Sequence, residues 1–179
     1  MSLRETIKSR VSTAKFASHW VNPHHLVELL DVAIYAPNHK MRQPWRFIIL
    51  EGEGKDRWIN HYLPTIKESD REEHKNVLMK VMSAPAVVVF VMKKNPVLVD
   101  DLEDLQACAA LIQNFLLLLE EEKIGSFWKT PKYIDSDKFK DSLNIKGDEI
   151  IVALVMVGYP AVKMEPKPRK SAHELTTIF

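Results

Sequence analysis

The sequence has little of several features that define other classes of protein. It contains one cysteine, Cys108, in 179 residues, so an internal disulfide cannot form and a reducing compartment is expected. Its 25 Lys and Arg residues balance 24 Asp and Glu residues, which leaves no strong charge for binding nucleic acid or an anionic membrane. No apolar run approaches the roughly 18 residues of a membrane span, and the N-terminus has no apolar signal core. We therefore expect a soluble cytoplasmic protein that binds neither nucleic acid nor membrane.

The usual signatures of metal sites and nucleotide sites are also absent. The seven histidines form no HxxxH pair, and Cys108 stands alone in an apolar stretch, so no metal site is expected. The sequence has no GxGxxG fingerprint. GEGK at 52–55 lacks the spacing of a phosphate loop and is better explained as a turn that opens a helix. No nucleophile stands out beside a base, and we assign no catalytic residue.

Length and hydrophobic patterning predict a single domain, 1–179, of the α+β class. Because the helices occur in pairs between strands, we expect a mixed sheet flanked by helices. The tail from residue 161 is basic and rich in proline, and we expect a last strand at 175–179. Helices are predicted at 3–9, 23–35, 54–62, 65–82, 101–123 and 136–143, strands at 46–51, 85–92, 124–129 and 149–157, and a loop at 36–44.

The longest predicted helix, 101–123, indicates a second subunit. Its middle, ACAALIQNFLLLL, is apolar almost all round, which is typical of a helix buried on every side. In a chain of this size, one partner in that burial could be another copy of the chain. The basic tail has no evident use within one compact domain, so we expect it to reach over the partner.

Basic and hydroxyl side chains are concentrated near the ends of the predicted elements. Arg10 and Ser12 follow the first helix, and the loop at 36–44 contains Asn38, His39 and Lys40. Arg10 could be a solvated cation that the helix dipole favours at a C-terminus. It could also bind a phosphate together with Ser12, because the guanidinium presents a planar set of donors. Spacing alone leaves both interpretations open.

Six short motifs, taken in order, resemble the nitroreductase family of FMN-dependent NAD(P)H oxidoreductases, and most closely its small, minimal branch. The resemblance spans nearly the whole chain. It implies a helix-flanked mixed sheet and a homodimer through the long central helices, with exchange of the C-terminal segments. The motifs are RVSTAKF at 10–16, APNHKMRQPWRF at 36–47, QNFLLL at 113–118, GSFWKT at 125–130, VGYP at 157–160 and KPR at 167–169.

The resemblance also implies which residues bind FMN, at the interface between the subunits. The Arg10-Val11-Ser12 segment would contact the phosphate and ribityl end, and the tail cations would add to the phosphate pocket. The Asn38–Lys40 loop would approach the flavin from the other subunit, with His39 foremost. The remaining implied residues are Trp128, Lys129 and Thr130 along the flavin and Lys167 and Arg169 in the tail.

The implied activity passes a hydride from NAD(P)H through the flavin to an organic acceptor such as a nitroaromatic or a quinone. NADH and NADPH both remain open as donors. Many members carry Arg or Lys where this sequence has Ala14, and a cation there would stabilise the reduced flavin. Ala14 therefore leaves room for an alternative, a flavin-binding or redox-sensing protein with little turnover. A third hypothesis is an interaction module whose basic loops bind another anion.

Overall fold

A computed structural model describes residues 2–179, in which four strands form one sheet. The strands are β1 (Trp45–Glu51), β2 (Ala86–Lys93), β3 (Gly125–Lys129) and β4 (Glu149–Gly158). They are arranged in the order β1-β2-β4-β3, and every neighbouring pair is antiparallel. The predicted mixed sheet would need a parallel pair of strands. Within residues 2–179, parallel pairing is limited to an isolated bridge between Ser12 and Ser126, so the four strands form an antiparallel sheet.

The helices confirm the predicted α+β class with boundaries shifted by a few residues. Asn22 caps the second helix by accepting a hydrogen bond from the His24 amide, and Pro23 occupies its first turn. The helices are α1 (Leu3–Ser9), α2 (Pro23–Ala33), α3 (Gly52–Tyr62), α4 (Glu68–Met82), α5 (Leu98–Glu121), α6 (Asp137–Ser142) and α7 (Ala172–Leu175).

The predicted last strand at 175–179 is wrong. A short helix, α7, occupies 172–175 instead, and the four residues after it belong to no strand. Ser171 and Glu174 form a capping box, in which each side chain bonds the other residue's backbone amide. This arrangement favours a helix start over an extended chain.

The core lies on both faces of the sheet. Helices α3, α4 and α6 cover one face, and α2 and α5 cover the other. Successive residues of a strand point to opposite faces, so a strand covered on both sides is apolar throughout. In β2, Val87, Val89 and Val91 face the first cluster, whereas Ala86, Val88 and Phe90 face the second.

Helix α5 is buried on one side only within a single chain. Its inner face packs Leu111, Phe115 and Leu119 against the sheet and α2. The outer face leaves Leu98 and Leu102 exposed, with 83% and 54% of their surface open. By length and hydropathy alone α5 could also cross a membrane, although 44% of that apolar window is buried in the fold and a core helix meets the same criterion. The burial expected on every side of α5 is therefore not found within one chain.

An ion pair joins the two strands that flank β2. Arg46 on β1 donates from Nε and Nη2 to the two carboxylate oxygens of Glu149 on β4, at 2.7 Å each. Glu149 also accepts a hydrogen bond of 2.8 Å from the Lys146 amide. These bonds to the charged form, above all those from Arg46, lower the pKa of Glu149 to about 2.

We predict that Glu149→Gln lowers the free energy of unfolding at pH 7 by about 1–3 kcal/mol, because it weakens charge-assisted hydrogen bonds at a buried carboxylate. A carboxyl whose folded pKa is depressed stabilises the protein above its unfolded pKa of about 4.5 and loses that contribution as the pH falls toward about 2. Urea unfolding at pH 7 and pH 3 should therefore show a smaller difference between parent and variant at pH 3.

The control is Glu53→Gln, which removes an exposed pair with Arg57. An exposed pair of this kind contributes about 0.3–0.5 kcal/mol, so the control should stay close to the parent at both pH values. An equal parent–variant difference at pH 7 and pH 3 for Glu149→Gln would contradict the role assigned to its charge.

Candidate functional site

The segment that follows α1 is held against the sheet by backbone hydrogen bonds. The Thr13 amide donates to the Ser126 carbonyl at the start of β3, at 2.9 Å. The Ala17 amide donates to the Tyr159 carbonyl just after β4, at 2.8 Å. Residues 10–17 are therefore fixed at the edge of the sheet where β3 begins and β4 ends.

Two glycines allow this close approach. A Cβ at position 125 would lie 2.6 Å from Thr13 Oγ1 and 2.9 Å from Thr13 Cβ. A Cβ at position 158 would lie 2.5 Å from Pro85 Cδ and 2.9 Å from Phe16 Cδ1. A larger residue at Gly125 would have to displace Thr13, and one at Gly158 would have to displace Pro85 and Phe16, so both positions favour glycine. Sequence reasoning did not identify this role of the two glycines.

Arg10 and Ser12 lie on the open side of this segment. Arg10 is half-buried and Ser12 is exposed. Within residues 2–179, neither side chain makes a hydrogen bond or an ion pair, so their donors are available to a ligand. Val11 and Thr13, which alternate with them, instead line a cavity of about 630 Å³ with Ile124.

The predicted residues of GSFWKT lie on the strand that holds this segment. Trp128 is half-buried and packs against the cluster formed by α2 and α5. The Lys129 ammonium lies 3.7 Å from the centroid of the Phe127 ring. Thr130 follows β3 and is exposed. The structure therefore brings Trp128–Thr130 and Arg10–Ser12 to the same edge of the sheet.

The Asn38–Lys40 loop has an unusual backbone. Its central turn, His39–Met41, is a short 3-10 helix. Lys40, Met41 and Gln43 have φ values of 53°, 52° and 47°, in the left-handed region that non-glycine residues rarely adopt. The Asn38 side chain supports the turn by accepting a hydrogen bond of 3.1 Å from the Gln43 amide.

Arg42 fastens this loop to the first half of α5. Its Nε donates to Asp104 Oδ1 at 2.8 Å, and its Nη2 donates to Glu103 Oε2 at 3.2 Å and to the Asp100 carbonyl at 3.2 Å. The hydrogen bond with Asp104, which is buried, raises the pKa of Arg42 above its ordinary value. The same Glu103 oxygen lies 3.9 Å from His39 Nδ1. Sequence reasoning missed Arg42, although acidic residues at 100, 103 and 104 share one helical face.

The single chain does not bring the two groups of predicted residues together. The N-terminal segment adjoins the far end of α5, where Ser9 Oγ donates to Glu120 Oε1 at 2.8 Å. The loop is fastened at Glu103 and Asp104. At a rise of about 1.5 Å per residue, the helix between Glu103 and Glu120 spans roughly 25 Å.

The tail begins beside the N-terminal segment. The Ala161 amide donates to the Lys15 carbonyl at 3.0 Å, and residues 162–166 line the same cavity as Val11 and Thr13. Every residue from 161 to 179 is exposed. Arg169 Nη1 donates to the Lys167 carbonyl of its own tail at 2.7 Å. Within residues 2–179, no hydrogen bond or ion pair joins either tail cation to Arg10. One chain therefore places the start of the tail at the sheet edge and leaves the tail cations exposed.

The sequence profile of the Nitroreductase family matches residues 7–159, which include the N-terminal segment, the loop and all four strands. The chain belongs to the nitroreductase family. It is accordingly an oxidoreductase, as the motif resemblance implied.

Relatives of known sequence and structure support this assignment over the whole fold. The chain is 34% identical over 175 residues to the Bacillus subtilis (strain 168) protein named "Putative NAD(P)H nitroreductase YfhC", covering 93% of this chain and 89% of the relative. A nitroreductase-like protein from Bacillus cereus has a TM-score of 0.92 at 31% identity, covering 100% and 96% of the two chains. A Desulfovibrio desulfuricans protein described as "a putative nitroreductase in complex with fmn" has a TM-score of 0.78 at 19% identity, covering 100% and 97% of the two chains.

We predict that Gly125→Ala loosens the N-terminal segment and lowers the free energy of unfolding by about 1–3 kcal/mol, as overpacking usually does. The Thr13 amide should lose protection from hydrogen exchange, because its bond to Ser126 requires the close approach at Gly125.

The matched control is Gly147→Ala. A Cβ at Gly147 would meet nothing within 4 Å, so this variant should keep the protection of the Thr13 amide. A second change, Thr13→Gly in the Gly125→Ala background, should restore space and recover stability. Unchanged protection and stability in Gly125→Ala would show that the glycine is not needed for docking.

Proposed function

We propose that this nitroreductase is an FMN-dependent NAD(P)H oxidoreductase that works as a homodimer in the cytoplasm. The FMN bound in the Desulfovibrio desulfuricans structure and the NAD(P)H in the name of the Bacillus subtilis relative support the two cofactors. Residues 1–179 would form a single FMN-binding domain, because the family match spans most of the chain and both apolar clusters pack on one sheet.

The separation along α5 is the observation that carries the proposal of a dimer. A flavin site that uses both Arg10–Ser12 and Asn38–Lys40 cannot form within one chain across roughly 25 Å of helix. A two-fold axis perpendicular to α5, and passing close to its middle, would set the two copies of the helix antiparallel. Each loop would then lie near the partner's N-terminal segment, and the dimer would have two equivalent composite sites.

Exposed apolar side chains supply a surface for such a dimer. On α5, Leu98, Leu102 and Leu105 face solvent in a single chain. On α2 and just after it, Val32 and Tyr35 are also exposed, and Tyr35 has 87% of its surface open. Exposed apolar side chains in this number on two helices that pack on one face of the sheet offer a surface that a second copy could cover.

The residues at the edge of the sheet fit an anionic cofactor. Arg10 offers a planar set of donors, Ser12 offers a hydroxyl, and neither has a partner within residues 2–179. The backbone of Val11, between them, would hold the Arg10 and Ser12 side chains on the same side of the segment. The tail cations Lys167 and Arg169 would add charge at the phosphate, brought by an arm that is exposed in one chain.

The other residues would orient the ring system and limit its contact with water. Trp128, Lys129 and Thr130 would line one side, and Asn38, His39 and Lys40 would close the site from the other subunit. Bound FMN would supply the redox chemistry, accepting a hydride from NAD(P)H and passing electrons to an organic acceptor such as a nitroaromatic or a quinone. We assign no acid or base in the chain, because water or substrate can supply the protons.

A second candidate, a flavin-binding or redox-sensing protein with little turnover, follows from Ala14. This exposed methyl side chain cannot stabilise negative charge on a reduced flavin as a cation would. Steady-state oxidation of NADH and NADPH with several acceptors separates the two candidates. Turnover well above that of free FMN supports the oxidoreductase, and its absence supports the sensor.

We predict that Arg10→Ala weakens FMN binding by about 1.5–3 kcal/mol, the usual contribution of a hydrogen bond to a charged group. Added FMN should raise the melting temperature of the parent by mass action, and the variant should show a smaller rise at the same FMN concentration. Lys167→Ala and Arg169→Ala should show weaker effects of the same sign.

Arg57→Ala is the matched control, because Arg57 is an exposed cation on α3 that pairs with Glu53. It should keep the FMN-dependent rise of the parent. If Arg10→Ala also keeps the full rise, Arg10 does not bind the cofactor.

We predict that two inactive variants complement each other in a mixed dimer. One chain carries Arg10→Ala and the other carries His39→Trp, whose bulk should block the pocket. In a composite arrangement the mixed dimer has one site with both lesions and one intact site. NAD(P)H oxidation should therefore return to about half that of the parent per dimer, since such a dimer has two equivalent sites.

The mixed dimer is purified through two different affinity tags, and both homodimers serve as inactive references. If each pocket lay within one chain, every site of the mixed dimer would carry one lesion. Lack of activity from two folded, inactive parents would then reject the cross-subunit site while leaving FMN binding itself untouched.

A further inference from the structure

We propose that Arg42 is a positioning residue, which holds the Asn38–Lys40 loop and the His39 side chain in the geometry that the flavin site requires. This inference rests on the proposed function, because it gives that loop a place at the flavin. Neither the family match nor the motifs assign a role to Arg42.

The first observation is the strained backbone of the loop. Lys40, Met41 and Gln43 all have φ values near 50°, and none of them is glycine. In this left-handed conformation, the Cβ of a non-glycine residue lies too close to the neighbouring carbonyl oxygen, so each such residue makes the folded state less favourable. Such a run persists only when its surroundings impose it, and strain of this kind is concentrated at functional sites.

The second observation is the position of Arg42 within this run. It lies between Met41 and Gln43 and has an ordinary right-handed conformation, with φ −64°. Its guanidinium is bonded to Asp104, which is only 2% exposed, and to two further oxygens of α5. A rigid fork bound to a rigid helix fixes the position of the backbone on either side of it.

The third observation links Arg42 to His39 through Glu103. Glu103 Oε2 accepts from Arg42 Nη2 at 3.2 Å and lies 3.9 Å from His39 Nδ1. Arg42 therefore holds the carboxylate that faces one nitrogen of the imidazole. Without Arg42, Glu103 would be free to turn toward solvent, and the charge of Asp104 would be left buried without its partner.

A purely structural ion pair is the competing explanation, and the chain contains a matched example of one. Arg46 and Glu149 also form a charge-assisted pair with a nearly buried carboxylate. That pair joins β1 to β4 and lies outside the loop and the N-terminal segment. Breaking either pair should destabilise the fold, but only the Arg42 pair should disturb the flavin site.

The experiment compares Arg42→Lys and Asp104→Asn with the controls Arg46→Lys and Glu149→Gln. Each dimer is loaded with FMN, and the visible circular dichroism of the bound flavin is recorded. Steady-state kcat and KM are measured for NADH and NADPH with p-benzoquinone as acceptor. Urea unfolding measures the loss of stability in all four variants, so that equally destabilised proteins can be compared.

We expect Arg42→Lys and Asp104→Asn to bind FMN, because Arg10 and Ser12 are intact. Their flavin dichroism should change, and kcat/KM should fall about 10- to 100-fold, the usual result of a small misplacement at a reacting centre. The controls should keep the flavin dichroism and the kinetics of the parent, even where they lose as much stability as Arg42→Lys and Asp104→Asn.

Parent-like dichroism and kinetics in folded Arg42→Lys and Asp104→Asn would overturn the inference and leave the proposed function standing. Equal changes in the two sets of variants would also overturn it, because they would show a general effect of stability. A parent protein that binds no FMN would instead reject the proposed function.

Discussion

Helix α5 sets the distance between the two groups of polar residues from which a flavin site could be built. One end adjoins Ser9 and the segment that contains Arg10 and Ser12, and the other end holds Arg42 and its loop. The helix cannot bend to bring these ends together, because its inner face is packed against the sheet through Leu111, Phe115 and Leu119. The same packing leaves the outer face apolar and uncovered. One constraint therefore separates the halves of the site and also supplies a surface that a second copy could cover.

Much of the fold could be predicted from local sequence, because the strands and helices are determined by nearby residues. The apolar runs of β2 and β4 indicate strands covered on both faces, and Asn22 with Pro23 marks a helix start. The docking of residues 10–17 could not be predicted in this way. It depends on hydrogen bonds to Ser126 and Tyr159, more than a hundred residues away, and on contacts that only the folded backbone reveals. The strand expected at 175–179 failed for a local reason, the capping box at Ser171.

The candidate site was less predictable than the fold. Charge and spacing left two interpretations of Arg10 open, a solvated cation at the end of a helix or a residue that binds a phosphate. Only the motif resemblance favoured phosphate binding. Arg42 stood in the same stretch as His39 and Lys40 and was equally basic in sequence. Its partners lie on α5 about sixty positions away, so its structural attachment is invisible until the loop and the helix are seen together.

Three arginines of the chain differ in whether the fold supplies acceptors for the guanidinium. Arg42 and Arg46 bond to nearly buried carboxylates, so their charges are already compensated within the chain. Arg10 is half-buried but has no acceptor within residues 2–179. A partly desolvated guanidinium without an acceptor is unfavourable, and an anion bound there would relieve that cost. Among these three arginines, Arg10 is therefore the one whose charge has no acceptor within residues 2–179, and its place at the edge of the sheet follows from the close approach of the segment at Gly125 and Gly158.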